Sequence, residues 1–189
     1  MNSYSNLSDT ELLGKLIGVQ QTQQFYRGSL TPLFATSSDK VALPEQCLVA
    51  RELVKRWLVE EIKHGDMLNS LETVRDFLKL HFASHEHEAF VAIFLDAQHQ
   101  VIVVEELFRG TLTQTSVYPR EVVKASLRCN SSAVLFAHNH PSGVAEPSQS
   151  DRMLTDALKQ ALSLVDVRVL DHFVVAGNSV LSFAERGLL

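Results

Sequence analysis

Between Ser131 and His140 the chain reads SSAVLFAHNH. This run is too short for a helix of ordinary length and too apolar for a strand with a wet face, so it must be a strand covered on both sides. Such a strand needs a layer above it and a layer below it, and the neighbouring segments can supply them. Pro119 can open a helix in PREVVKASLRC, and PSQSDRMLTDALKQALSLV carries Met153, Leu154, Ala157, Leu158, Ala161 and Leu162 along one side. EAFVAIFLDAQ and VIVVEELF are β-rich runs joined by the short polar AQHQ, a hairpin pattern, while VRVLDHFVVAG and SVLSFAE flank a tight turn at Gly177-Asn178. The expected fold is α/β, a mixed sheet of about five or six strands flanked by helices.

Upstream, the pattern is helical. Ser8 and Glu11 have the spacing of a capping box, and Leu12, Leu13, Leu16 and Ile17 follow on one helical face up to Gly18. Val19 to Lys40 shows no sustained period and reads as irregular or briefly helical. Pro44 can start the long helix PEQCLVARELVKRWLVEEIKHG, with Leu48, Leu53, Trp57, Leu58 and Ile62 as its apolar face, and Ser70 begins another in SLETVRDFLKLHF. Residues 1–69 are therefore expected to form a small helical N-terminal region, and 70–189 the α/β domain.

Charge and cysteines limit the partners. The 189 residues hold 17 Lys+Arg against 22 Asp+Glu, a net charge of -5, so no overall positive field gathers phosphates or anionic lipid. Cys47 and Cys129 have no CxxC spacing and fit free thiols in a reducing compartment. The N-terminus lacks the features of a secretory signal, and no run reaches the roughly 18 apolar residues of a membrane helix. A cytoplasmic location without a membrane partner is expected.

The buried strand ends in chemistry. Side chains alternate along a strand, so His138 and His140 point to one side, with backbones about 7 Å apart. Pro141-Ser142-Gly143 then turns the chain, and Asp151, in the first turn of the next helix, can return a carboxylate oxygen. Two nitrogens and one oxygen leave the fourth tetrahedral position of zinc open to water, whose pKa zinc lowers to about 7. Ser148 and Asp151 also have capping-box spacing and could simply satisfy helix amides. The two roles are compatible.

H-x-H-x(10)-D, with Ser148 three positions before Asp151, resembles the JAMM motif of the MPN+ metallohydrolases. AHNHPSG, PSQSD, YPREVV and LDHFVV resemble the RadC branch, the UPF0758 family, over about Ser70 to Leu189. The resemblance implies a JAB/MPN fold related to the cytidine-deaminase architecture, with Zn2+ held by His138, His140 and Asp151. It also implies a glutamate on an early strand that handles the proton of a water. In HEHEAFVAIFLD, Glu88 fits best and Glu86 is the alternative, placed by alternation on the same side as Glu88. Ser148 would polarise a substrate carbonyl or stabilise its oxyanion.

Other residues have weaker claims. His85 and His87 repeat the HxH spacing, but no turn and helix follow, so they are expected to flank the strand in solvent or to lie at a pocket rim. Asp171-His172 matches the family pattern and is either structural or a support for the metal ligands. Arg120 reads as a solvated charge at a helix start, and Cys129 as a small apolar group. LSDTELLGKLIG and ARELVKRWLVEE resemble the outer parts of a helix-hairpin-helix module, but the Gly-rich hairpin between them is replaced by roughly TPLFATSSDKVALPEQ. The phosphate-holding amides of such a hairpin are then missing, so DNA binding by this degenerate region is unsupported by motif or charge.

The resemblance makes a zinc metallopeptidase or isopeptidase with a peptide or protein substrate the leading expectation. The alternative is a DNA repair or recombination factor, acting as a nuclease or a DNA-binding scaffold. Nucleobase deamination needs H-x-E with P-C-x-x-C, and neither is present. Nothing in the sequence specifies the scissile bond or the oligomeric state.

Overall fold

The computed structural model describes residues 4–30, 33, 43–64, 71–83, 85–110 and 117–189. The helix start expected at Ser70, the boundary at 69/70 and most of the segment replacing the Gly-rich hairpin lie outside these residues. The chain opens with α1 (Asp9–Ile17), α2 (Val19–Phe25), α3 (Glu45–His64) and α4 (Leu71–Phe82). It continues with β1 (Ala89–Leu95), β2 (Val101–Arg109), α5 (Pro119–Arg128), β3 (Ala133–Asn139), α6 (Gln149–Ser163), β4 (Arg168–Ala176) and β5 (Ser179–Ser182).

The strands form one mixed sheet in the order β2-β1-β3-β4-β5. β3 lies at its centre, antiparallel to β1 and parallel to β4, with α6 as the crossover between the two parallel strands. Every residue of β1 and β3 is buried, which is why both read as continuous apolar runs. Alternate residues feed two cores. Val91, Ile93, Leu135 and Ala137 pack with Leu58 and Ile62 of α3 and Phe77 and Leu78 of α4. Phe90, Phe94, Val134 and Phe136 pack with Val122 of α5 and Leu158 and Leu162 of α6. A smaller cluster joins Leu13, Ile17, Leu33 and Cys47.

Three expectations about apolar faces and strand ends are corrected. α3 carries two adjacent apolar stripes and buries Cys47, Leu58 and Ile62, while Leu48, Leu53 and Trp57 face solvent among the described residues. α6 meets the sheet along a narrower line of Thr155, Leu158 and Leu162, which leaves Met153 and Ala157 exposed. β5 stops at Ser182 rather than running to Glu185, because Asp171 captures the Ser182 hydroxyl and the Ala184 N–H and draws the chain out of the ladder. The cysteines are free, Cys47 buried and Cys129 half-buried. Among the described residues no helix is long and apolar enough to cross a membrane.

Candidate metal centre

Strand β3 ends where Pro141 can no longer donate to a ladder, although His140 N–H still reaches Val175 O of β4 at 2.8 Å. The reversal that follows needs Gly143 in the left-handed region, at φ 81°, with its N–H on His140 O. The chain then enters α6 through a complete capping box. Ser148 Oγ accepts the Asp151 N–H, while Ser148 N–H and Oγ–H both donate to Asp151 Oδ2 at 2.7 Å. Strand end, turn and helix cap together bring His138, His140 and Asp151 to one point. His138 Nε2 and His140 Nε2 lie 3.0 Å apart, and the Asp151 oxygens lie 3.4 and 3.5 Å from them.

A chain of buried hydrogen bonds decides which ring nitrogens carry protons. The Thr155 hydroxyl donates its one hydrogen to Asp151 O at 2.7 Å, so it can only accept from His172 Nδ1, 2.6 Å away. His172 Nε2 is then the bare nitrogen and accepts from His138 Nδ1–H at 2.9 Å. Burial holds the His172 ring well below the ordinary histidine range, which keeps it neutral for this relay. His138 Nε2 is therefore left as a lone pair. His140 Nδ1 donates to Val144 O at 2.7 Å, so its Nε2 is left as a lone pair as well.

Two nitrogen lone pairs aimed at each other across 3.0 Å, with a carboxylate beside them, repel unless something positive lies between. A proton can fill that role: the hydrogen bond to Asp151 raises the pKa of His140 against the effect of burial, helped by Val144 O and by the charges of Asp151 and Glu88. Burial alone would raise the Asp151 carboxyl, but hydrogen bonds with both histidines and Ser148 hold it far below the usual carboxylate range. A divalent cation fits the same place too: tetrahedral zinc with bonds of about 2.0–2.1 Å separates its ligand atoms by about 3.3 Å, against 3.0, 3.4 and 3.5 Å here. The donor set and its spacing fit zinc.

Glu88 reaches the site from β1. Phe90 pairs with His138, so two residues back along β1 and two on along β3 stand Glu88 and His140, on the same face of the sheet. The Glu88 charge is felt at His140. Glu86 is different: residues 86 and 87 form a bend before the strand begins, so the alternation expected to carry Glu86 to this side does not extend that far, and its side chain is exposed. Ser148 is exposed and engaged with Asp151, and Arg120 is exposed at the start of α5.

Two residues in the site escaped the sequence reading. Asn139, between the histidines, points to the opposite face, where Oδ1 accepts the Ala89 N–H at 2.8 Å and Nδ2 donates to His87 O at 3.0 Å. Its amide thus grips the backbone on both sides of Glu88, and Gly110 N–H holds Glu88 O. Thr155 sits one helical turn after Asp151, and nothing in its local pattern marks it out. His85, expected in solvent or at a pocket rim, is half-buried, with its Nε2 bound to Glu106 Oε2 of β2 at 2.9 Å.

The model of the RadC-like JAB domain matches residues 68–188, the whole of this sheet with α4, α5 and α6. The chain belongs to the RadC family. A UPF0758 protein of Nitrosomonas eutropha is 56% identical over 170 residues, covering 86% of this chain and 76% of the relative. One from Nitrosomonas europaea is 51% identical over 201 residues, covering 97% and 90%. A third, from Dechloromonas aromatica, is 57% identical over 162 residues, covering 85% and 72%. For a RadC-family chain the JAB-type domain is thus common ground, and the site just described lies within it.

Proposed function

We propose that this RadC-family protein is a zinc-dependent hydrolase of the JAMM type that cleaves amide bonds in a peptide or protein, peptide or isopeptide. The observation that carries the reading is the convergence of His138 Nε2, His140 Nε2 and an Asp151 oxygen as bare electron-pair donors, with Glu88 facing them from the neighbouring strand. Zinc bound there would supply a Lewis acid that acidifies a water to a pKa of about 7 and polarises a carbonyl. Glu88 takes a proton from the attacking water as the water oxygen bonds to the carbonyl carbon. It returns that proton to the amine nitrogen as the C–N bond breaks.

His138 and His140 keep their bare nitrogens toward the metal because Thr155, His172 and Val144 O occupy the other ring positions. Ser148 orients Asp151. To donate to the oxyanion, its hydroxyl must turn away from Asp151 Oδ2, which would keep the Ser148 N–H as a partner. Glu88→Gln should retain zinc and lower turnover about 10²–10⁴-fold on a peptide or isopeptide that the wild type cleaves. Full turnover in that variant would remove Glu88 from the mechanism.

A further inference from the structure

On the other face of the sheet, a second group of ligand-type side chains meets. His81 is in the last turn of α4, His85 lies four residues on, past the end of that helix, and Glu106 lies on β2. Glu106 pairs with Val91, which faces the α3/α4 core, whereas His138 is paired with Phe90, which faces the α5/α6 core. The two groups therefore have the sheet between them. One ligand atom from each of His81, His85 and Glu106 lies within 4.8 Å of the others. Glu106 Oε2 is 2.9 Å from His85 Nε2 and 3.8 Å from His81 Nε2. The imidazoles of His81 and His85 are stacked, 5.3 Å between centroids.

Hydrogen bonding leaves this cluster incomplete. His81 Nε2, His85 Nδ1 and His87 Nε2 are all buried without a hydrogen-bond partner among the described residues. A buried polar atom left so costs about 1–3 kcal/mol, and three in adjoining rings is a concentration that ordinary packing does not produce. The centroid of His87 is 5.7 Å from that of His85, so the third ring adjoins the cluster. The side chains of His81 and His85 keep 16% and 15% of their surface and that of Glu106 31%, enough for an ion to enter. From α3, Lys55 and Glu52 face the cluster; Lys55 is held by Glu52 at 2.6 Å, which offsets its repulsion of a cation.

We infer that His81, His85 and Glu106 form a second divalent-metal site, of the borderline nitrogen-and-oxygen type that takes zinc, structural in character. Two imidazoles and one carboxylate suit zinc over magnesium or calcium, which prefer all-oxygen shells. An ion there would tie the end of α4 to the edge strand β2. Between His85 and β1 lie only Glu86, His87, whose carbonyl Asn139 holds, and Glu88. The second site thus fixes the approach of the chain to Glu88 from the face opposite the first.

The test is zinc stoichiometry of the full chain after equilibrium dialysis against Zn2+, read by elemental analysis. Wild type should hold about two equivalents, His138→Ala/His140→Ala one, His81→Gln/Glu106→Gln one, and the fourfold variant none. Zinc content in His81→Gln/Glu106→Gln equal to that of wild type overturns the second site and leaves the first standing. One equivalent retained by wild type and by His138→Ala/His140→Ala, and lost in His81→Gln/Glu106→Gln, supports the second site while sinking the first. Should the His81/Glu106 variant fold poorly, the rise in melting temperature on adding zinc to His138→Ala/His140→Ala is the second reading. That rise is expected, and its absence overturns the inference.

Discussion

The two histidine clusters of this protein use the same side-chain types and differ in what stands behind them. His138 and His140 are backed by a buried relay running from Asp151 O through Thr155 and His172, so their tautomers are dictated from the core. Among the described residues His81 and His85 have no such relay; one ring is paired with Glu106, and His81 Nε2 and His85 Nδ1 have no partner. On the proposals made above, the first cluster would be set before any ion arrives, and the second would be completed by one. Preorganisation of this kind suits a site that must present an open position repeatedly, whereas a tie between two elements needs only to close once.

The sharpest way to break this contrast is Thr155→Val, which keeps the shape and removes the hydroxyl that directs His172. Loss of an outer hydrogen bond of this type costs about 10–100-fold in metal affinity, so zinc competition with a chelator should show a drop of that size at the first site alone. Unchanged affinity would mean that the relay does not set the tautomer of His138.

A smaller effect should separate the clusters by acid. Burial first, then the charges of His85 and Lys55, push His81 down to about 4 from the usual 6.5, against the opposing pull of Glu106 and Glu52. The unfolded chain then binds a proton below about pH 6.5 that the folded, metal-free chain refuses until about pH 4. Stability is fully present above that window and lost as pH falls through it, by on the order of 2 kcal/mol once partial exposure is allowed for. Denaturant titrations of the chelated protein at pH 7 and 4.5 should show this loss, and His81→Gln should diminish it.

Smallest is Ser148→Ala. The capping box at α6 should cost about 1 kcal/mol of stability when its hydroxyl is removed. The Ser148 N–H still reaches Asp151 Oδ2, so zinc content should hold. Loss of zinc in this variant would show that the hydroxyl, rather than the backbone, positions the ligand.

Much of this was legible from local patterns. The strand β3, the turn at Gly143 and the capping box are each encoded within a few residues, and together they place three of the four residues of the candidate centre. Glu88 came from resemblance to the family motif, because a residue fifty positions upstream of His138 has no local signal for its partner. Asn139, Thr155 and His85 were missed for a related reason: each acts across elements that only the folded sheet brings together. The exposed Leu48, Leu53 and Trp57 show a different limit, since periodicity reveals that α3 is apolar but cannot choose between two stripes that both fit a helix.

Asn139 has a consequence for how this architecture can vary. Its amide grips the backbone on either side of Glu88, and it lies between His138 and His140, so Glu88 and the histidines are held as one piece. Their separation is fixed by the pairing of β1 with β3 and does not depend on the length of any surface loop. Loops around such a centre are free to lengthen, shorten and change composition, reshaping what is admitted, while the spacing of Glu88 from the histidines stays the same.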